Sequence, residues 1–170
     1  MPPVVSLIGK ANSGKTTFLE KLIPALISCS VRVGTIKHHV HDFDMDRPGK
    51  DTWRHKQAGA SIVALSSPTG LGVIRDSDHD LPLDEVIGRY FGEVDIVITE
   101  GYKSGPAPKI EIFRSTAHRT PLVRDHTWIA LVSDTEIDCE LPVFTLDNAE
   151  GVAHFLIDTL ISSRKQSLPR

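Results

Sequence analysis

The chain has 170 residues, of which 40% are hydrophobic and 24% charged, and its formal net charge is −3. This composition is that of a globular domain, and it argues against a disordered chain and against a broad surface for nucleic acid. No apolar run approaches the roughly 20 residues that span a bilayer. Because a strand is predicted from residue 4, we expect no signal peptide. Two cysteines, Cys29 and Cys139, do not make a disulfide framework. We expect one cytoplasmic domain over residues 1–161 with free thiols, no membrane partner and a flexible tail at residues 162–170.

Apolar patterning predicts strands that alternate with helices along most of the chain. The predicted strands are 4–8, 31–36, 61–65, 72–74, 94–99, 109–113, 128–132 and 143–146, and the predicted helices are 15–28, 51–58, 82–91 and 148–160. Such alternation is typical of an α/β fold with a mainly parallel central sheet. Two pieces, 61–74 and 109–113, interrupt the alternation, and we interpret them as a β-extension that pairs with another chain.

A glycine-rich segment between the first predicted strand and helix has the pattern G-x-x-x-x-G-K-[ST], the P-loop or Walker A motif of nucleoside triphosphate-binding proteins. Its glycines allow the main chain to curl N–H groups around phosphate oxygens, and the following helix start adds further donors. We expect Lys15 to reach the β- and γ-phosphates and the Thr16 hydroxyl to bind Mg²⁺. The predicted nucleotide-binding residues of the loop are Gly9, Lys10, Ala11, Asn12, Ser13, Gly14, Lys15, Thr16 and Thr17.

An acidic residue, Glu100, follows the apolar strand 94–99. Ligands of open α/β sheets gather at the carboxyl ends of strands, and a carboxylate there can hold magnesium through water or orient an attacking water. We therefore predict that Glu100 lies near the metal, although a solvated acidic turn is the alternative. Asp95, earlier on the strand, is expected to cap it or to stay at the surface.

The segment 36–51 follows the second predicted strand and is rich in histidine and aspartate. Its members are His38, His39, His41, Asp42, Asp44, Asp46 and Asp51. Three interpretations compete. The segment is a switch loop that meets the γ-phosphate and magnesium, with Asp51 or a neighbour as a water-mediated ligand. Alternatively it is a transition-metal site, since imidazole suits zinc or nickel, or it is a solvated polar loop.

These motifs occur in one order that resembles the MobB family, the molybdopterin-guanine dinucleotide biosynthesis adapter proteins, over roughly residues 4–160. The segments that carry the resemblance are the glycine loop, Thr35-Ile36-Lys37-His38, Phe43-Asp44-x-Asp46-x-Pro48-Gly49-Lys50-Asp51, Thr99-Glu100-Gly101-Tyr102-Lys103, Pro108–Arg114 and Leu131-Val132-Ser133-Asp134. The resemblance implies a P-loop NTPase-type three-layer fold and a cytoplasmic homodimer that binds GTP with Mg²⁺ and hydrolyses it slowly. It also implies a partner, the MobA-type nucleotidyltransferase that joins GMP to molybdopterin.

The resemblance implies roles for single residues of this chain. Gly9, Gly14, Lys15 and Thr16 match the phosphate and magnesium ligands, and Glu100 matches the acidic strand end. Asp134 follows strand 128–132, where its carboxylate could accept from guanine N1 and N2 or could equally cap a turn. Lys10 matches the lysine that crosses the dimer in related ATPases with deviant loops, and an exposed loop lysine is the alternative.

Two other functions stay open. One is a small P-loop kinase with an arginine-rich lid, and the other is a metallochaperone GTPase that loads nickel through His38, His39 and His41.

The catalytic candidates are Lys15, Glu100 and Asp51, for a GTPase that is at most weak. The loop contains no arginine finger, and the candidates for that charge, from a mobile segment or a partner chain, are Arg47, Arg54 and Arg114. Direct binding of molybdopterin to this chain also stays open.

Overall fold

The computed structural model describes residues 1–39 and 43–163, and these residues form two compact units. The first unit contains residues 1–38 together with the described residues from 86 onward, and the second contains the described residues of 39–85. The single-domain assignment stays a prediction, and residues 164–170 of the predicted tail lie outside the described part of the chain. Among the described residues, none of the helices has the length and apolar character that a membrane span needs.

The described elements follow the predicted alternation. In chain order they are β1 (Val4–Ile8), α1 (Lys15–Ser28), β2 (Val33–Lys37), α2 (Asp51–Gln57), β3 (Ile62–Ser67), β4 (Gly70–Arg75), α3 (Leu83–Tyr90), β5 (Ile96–Glu100), β6 (Lys109–Phe113), β7 (Trp128–Ser133), β8 (Val143–Thr145), α4 (Ala149–Leu156) and a π-helical turn (Ile157–Ser162). Most boundaries agree with the sequence patterns to within two residues. The predicted final helix 148–160 is instead α4 followed by the π-helical turn.

The first unit is built on a six-stranded sheet in the order β2-β5-β1-β6-β7-β8, and every pair of neighbouring strands is parallel. β1 lies between β5 and β6, with Val5 opposite Ile98 and Ile8 opposite Glu111. Because all strands run the same way, the residues that follow β1, β5, β6 and β7 lie along one edge of the sheet. The mainly parallel α/β fold predicted from the sequence is confirmed.

One face of this sheet carries the hydrophobic core. Alternate strand positions are apolar and pack against α1 and α4, as the two-residue period of a strand requires. The main contributors are Val5, Leu7, Ile96, Ile98, Ile110, Ile112, Ala130 and Val132 from the sheet, with Phe18, Leu22, Leu26, Val152, Ala153 and Leu156 from the two helices. This packing fixes the start of α1 relative to β1.

The intervening strand positions include buried polar residues, namely Ser6, Thr99, Lys109, Glu111 and Ser133. Thr99 Oγ1 donates to Ser6 Oγ at 2.9 Å across the β1–β5 pair. The Lys109 ammonium donates to the Gly105 carbonyl at 2.7 Å and to Thr127 Oγ1, so its charge is buried with partners. The strand faces therefore differ in chemistry, apolar toward α1 and α4 and partly polar at the intervening positions.

The second unit contains α2 and an antiparallel hairpin of β3 and β4. Its register runs from Ile62 opposite Arg75 to Ser67 opposite Gly70. The predicted strands 61–65 and 72–74 correspond to β3 and β4, and the hairpin makes a separate two-stranded sheet.

The interpretation of 109–113 as part of a β-extension is wrong. These residues form β6, an interior strand of the main sheet between β1 and β7. The alternation of Lys109, Ile110, Glu111 and Ile112 is typical of a half-exposed strand. Both polar side chains are instead buried, with Lys109 bonded to oxygens of its own unit and Glu111 bonded to the Leu122 N–H.

Candidate functional site

The glycine loop joins the central strand β1 to α1, which is the strand–loop–helix context that its motif requires. A Cβ on Gly9 would lie 2.5 Å from both the Ile112 carbonyl oxygen and Ser13 Oγ, so only glycine fits this approach to β6. Gly14 has φ 91°, a conformation that favours glycine, and its carbonyl accepts the Phe18 N–H at 2.9 Å to begin the helix. The loop is thereby held tightly at both ends.

The start of α1 presents hydrogen-bond donors that are available to a ligand. The first N–H groups of a helix have no partner within the helix, and the N-cap residue of α1, Gly14, has no side chain to accept from them. The Ser13 side chain is buried, and its Oγ has no hydrogen-bond partner among the described residues. Together with the positive end of the helix dipole, these donors suit an anion of several oxygens.

Lys15 lies inside the loop, where its Nζ donates to the carbonyl oxygens of Gly9 at 3.2 Å and Lys10 at 3.0 Å. Burial lowers the pKa of the Lys15 ammonium, the Glu100 carboxylate opposes that change, and the ammonium groups of Lys103 and Lys37 reinforce it. Two further ammonium groups therefore act on Lys15, and one carboxylate opposes them. This excess of positive charge favours binding of a polyanion.

Thr16 and Glu100, both predicted to lie near the metal, meet across the β1–β5 edge, and their role toward magnesium stays a prediction. Thr16 Oγ1 donates to both carboxylate oxygens of Glu100 at 3.3 Å, and Lys37 Nζ lies 3.9 Å from Glu100 Oε1. Magnesium is held in nucleotide sites by one or two protein oxygens together with water and phosphate oxygens. The hydroxyl and carboxylate fit that requirement, so these two residues could hold Mg²⁺.

On the other side of the loop, the segment that follows β6 contacts the glycine loop directly. Lys10 Nζ donates to the Thr120 carbonyl oxygen at 2.7 Å, and His118 Nε2 donates to the Ala11 carbonyl oxygen at 2.6 Å. Sequence reasoning did not identify His118 and Thr120 as neighbours of the glycine loop. Their local pattern does not show that the strand before them, which begins at residue 109, lies beside β1. The Lys10 ammonium thus has a partner in its own chain, and its role across a dimer stays a prediction.

Asp134 follows β7 and holds the turn after β6. Its Oδ1 accepts the Ser115 N–H at 2.7 Å, and this bond lowers the pKa of the Asp134 carboxyl group. This contact corresponds to the turn-capping role that the sequence left open. The guanine contact of Asp134 stays a prediction.

The other predicted residues are spread over both units. Asn12 and Thr17 belong to the glycine loop and the first turn of α1, Arg47 and Arg54 belong to the second unit, and Asp51 is the first residue of α2 there. Asp51 lies at a helix N-terminus, where the dipole favours a carboxylate, and its magnesium role stays a prediction. Asp95 precedes β5, is partly buried and pairs with the Arg32 guanidinium at 3.0 Å.

The histidine-rich segment is described only in part. The His38 ring packs against the Tyr102 ring with 4.5 Å between centroids, whereas His41 and Asp42 lie outside the described residues. Over residues 1–39 and 43–163, no group of three or more His, Cys, Asp or Glu side chains could hold a metal ion. Cys29 and Cys139 are free thiols, as predicted.

Comparison with known proteins gives one consistent result. The family model "MobB: Molybdopterin guanine dinucleotide synthesis protein B" matches residues 4–134. The chain is 35% identical over 163 residues to the molybdopterin-guanine dinucleotide biosynthesis adapter protein of Escherichia coli, covering 93% of each chain. It is 32% identical to the protein of that name from Haemophilus influenzae, covering 91% of this chain and 87% of the relative. The crystal structure of Bacillus subtilis MobB superimposes with a TM-score of 0.74 at 28% identity, covering 93% of this chain and 98% of that one.

Proposed function

The chain belongs to the MobB family, and from this premise we propose that it is a GTP-binding adapter that assists a MobA-type guanylyltransferase in attaching GMP to molybdopterin. Its relatives carry the name of adapter proteins of molybdopterin-guanine dinucleotide biosynthesis. The observation that carries the proposal is the glycine loop with an uncapped helix start, whose Lys15 lies beside the Thr16–Glu100 pair. The preference for guanine rests on the family, with Asp134 as the candidate contact.

Each part of the site has a defined task in this proposal. The main-chain N–H groups of residues 9–17 and the Lys15 ammonium bind the phosphates. Thr16 and Glu100 hold Mg²⁺, which supplies charge neutralisation at the phosphate oxygens. Glu100 also contacts its neighbours, since both its oxygens accept from Thr16 Oγ1 and its Oε1 lies 3.9 Å from Lys37 Nζ. This arrangement supports stable binding and slow hydrolysis more than rapid turnover.

We further propose that the protein is a homodimer that pairs through the β3–β4 hairpin. Ile62, Leu71 and Val73 share one face of the hairpin by their register, and each is more than 40% exposed. A two-stranded hairpin is marginally stable alone, and adjacent exposed apolar side chains are typical of an interaction surface. A second copy of this hairpin would cover that face.

The first experiment is calorimetric titration of the protein with GTP, ATP and GDP, with and without Mg²⁺. The wild-type protein should bind GTP with Mg²⁺, and Lys15→Ala should weaken that binding by about 100-fold, because a charged donor to two phosphate groups is lost. Lys21→Ala is the matched control, since Lys21 lies on the same helix and its exposed ion pair with Asp147 contributes little. Absence of GTP binding to the wild-type protein, or unchanged binding by Lys15→Ala, would contradict the proposal.

The adapter role is tested in the same series by reconstitution. A MobA-type enzyme should transfer GMP to molybdopterin faster with the wild-type protein than without it. Lys15→Ala should not accelerate the transfer, and Lys21→Ala should act like the wild-type protein. Equal transfer in the presence and absence of the wild-type protein would contradict assistance while leaving GTP binding intact.

A further inference from the structure

We propose that Arg114 is a phosphate ligand supplied by the same chain, and that it binds the phosphate groups that GDP and GTP share. This inference rests on the proposed function, because it adds one residue to the same nucleotide site. The sequence offered Arg114 only as a charge that a mobile segment or a partner chain would bring. The structure instead places it against the glycine loop of its own chain.

The position of Arg114 follows from the sheet order. It directly follows Phe113, the last residue of β6, and β6 is a neighbour of β1. The end of β6 therefore lies beside the glycine loop. A Cβ built on Gly14 would lie 3.1 Å from Arg114 Nη2 and 3.6 Å from Cζ, so the guanidinium lies against the last residue before α1.

The guanidinium includes one buried donor that lacks an acceptor in the described part of the chain. Arginine is charged at all physiological pH values and carries five N–H donors. The Nε of Arg114 is buried and has no hydrogen-bond partner among the described residues, and no carboxylate in that part of the chain forms an ion pair with the guanidinium. Buried donors in native proteins normally have a partner, and an unpaired charged donor is costly. An anion at the start of α1 would supply the missing acceptors.

The main chain around Arg114 is fixed before any ligand binds. The Arg114 carbonyl accepts the N–H groups of Ala117 at 3.1 Å and His118 at 3.0 Å. The next residue, Ser115, donates its N–H to Asp134, and the His118 ring contacts the carbonyl of Ala11. A phosphate would therefore not have to order the main chain that carries this side chain.

Which phosphate groups Arg114 binds depends on the side of the glycine loop on which it lies. Thr16 and Glu100 mark the β5 side, where the proposed magnesium and the terminal phosphate lie. Arg114 lies on the β6 side of β1, toward β7 and the candidate guanine contact Asp134. A nucleotide that runs from Glu100 toward Asp134 passes Arg114 with its inner phosphates.

The experiment measures GTP and GDP affinity by calorimetry for the wild-type protein, Arg114→Ala, Arg114→Lys and Arg119→Ala. Arg114→Ala should lose about 10- to 100-fold in affinity for both nucleotides by the same factor, as expected for one charged hydrogen-bonding group. Arg114→Lys should recover part of the loss, because it keeps the charge and loses the planar fork. Arg119→Ala, an exposed arginine of the same segment, should bind as the wild-type protein does.

Thermal unfolding of each variant, monitored by circular dichroism, tests whether a loss of affinity results from a loss of fold. Unchanged affinity of Arg114→Ala for both nucleotides would overturn the inference and leave the proposed function standing. A loss confined to GTP would overturn it as well, because the guanidinium would then bind the terminal phosphate. Failure of the wild-type protein to bind either nucleotide would overturn the proposed function and this inference together.

Discussion

Glu111 is a carboxylic acid buried in the middle of β6, and its side chain is nearly inaccessible to water. Its Oε1 accepts the Leu122 N–H at 2.7 Å, while its Oε2 has no hydrogen-bond partner within the described chain. Burial raises the pKa of the Glu111 carboxyl group above its ordinary value of 4.5, and the Leu122 N–H opposes this change. The folded protein therefore holds a proton at this site over a range of pH in which the unfolded chain has released it.

Glu111→Gln should change how stability depends on pH. Below pH 4.5 Glu111 is protonated in both states, and above that value the free energy of unfolding of the wild-type protein falls as the pH rises through the raised pKa. The amide does not titrate, so the variant should gain stability relative to the wild-type protein between pH 4.5 and neutral pH. Urea unfolding at a series of pH values measures the difference between the two.

The control for this series is Glu136→Gln, which removes an exposed carboxylate outside the sheet. Any fixed cost of burying the amide shifts the whole Glu111→Gln curve without changing its slope. A difference between Glu111→Gln and wild-type protein that stays constant from pH 4 to 7 would show that Glu111 titrates normally in the folded state.

Among single residues, those that belong to a local motif were predictable from the sequence. The pattern from Gly9 to Thr16 implies its own backbone conformation, and Glu100 was expected at the carboxyl end of a strand, where the ligands of open α/β sheets gather. Arg114, His118 and Thr120 were not predictable as neighbours of the loop. Their place depends on which strand lies beside β1, and the sequence pattern does not determine strand order.

Among the elements, α4 begins with a side-chain cap. Asn148 Oδ1 accepts the Gly151 N–H at 2.9 Å, which satisfies one of the free donors at the start of this helix. Because α4 covers the core face of the sheet, a weaker helix start should lower the stability of the first unit.

Asn148→Ala should cost about 1 kcal/mol in the free energy of unfolding, since alanine offers no acceptor to the Gly151 N–H. Asn148→Asp keeps an acceptor at the same place and should retain most of the stability. Chemical denaturation of the wild-type protein and both variants provides the comparison. Equal losses for alanine and aspartate would show that the cap does not contribute.

Whether a segment forms a helix or a strand was easier to predict than where that element lies in the fold. The apolar periods of 4–8, 15–28 and 94–99 correspond to β1, α1 and β5, because each pattern is complete within the segment itself. β6 was recognised as a strand but was assigned to the wrong sheet. Its buried charges are satisfied by residues outside the strand, and such partners are visible only after folding.

At the scale of the whole molecule, the proposed dimer gives a direct prediction. Leu71→Glu with Val73→Glu places charges on the apolar face of the hairpin and should convert a dimer of 18.7 kDa chains into a monomer. Sedimentation at micromolar concentration measures the mass. Val123→Glu, a charge added at a highly exposed valine of the first unit, is the control and should leave the dimer intact.

A wild-type protein that sediments at 18.7 kDa would contradict the dimer. A double variant that stays dimeric would instead contradict the hairpin as its interface.

The position of β1 at the centre of the sheet has a consequence for synthesis on the ribosome. Val4 pairs with Val97 and Ile8 pairs with Glu111, so both neighbours of the first strand emerge about a hundred residues after it. Until then the earliest strand has no permanent partner, and contacts of such long sequence separation form slowly. An apolar segment of the nascent chain therefore stays without its neighbouring strands for much of translation, and during that time it is exposed to aggregation.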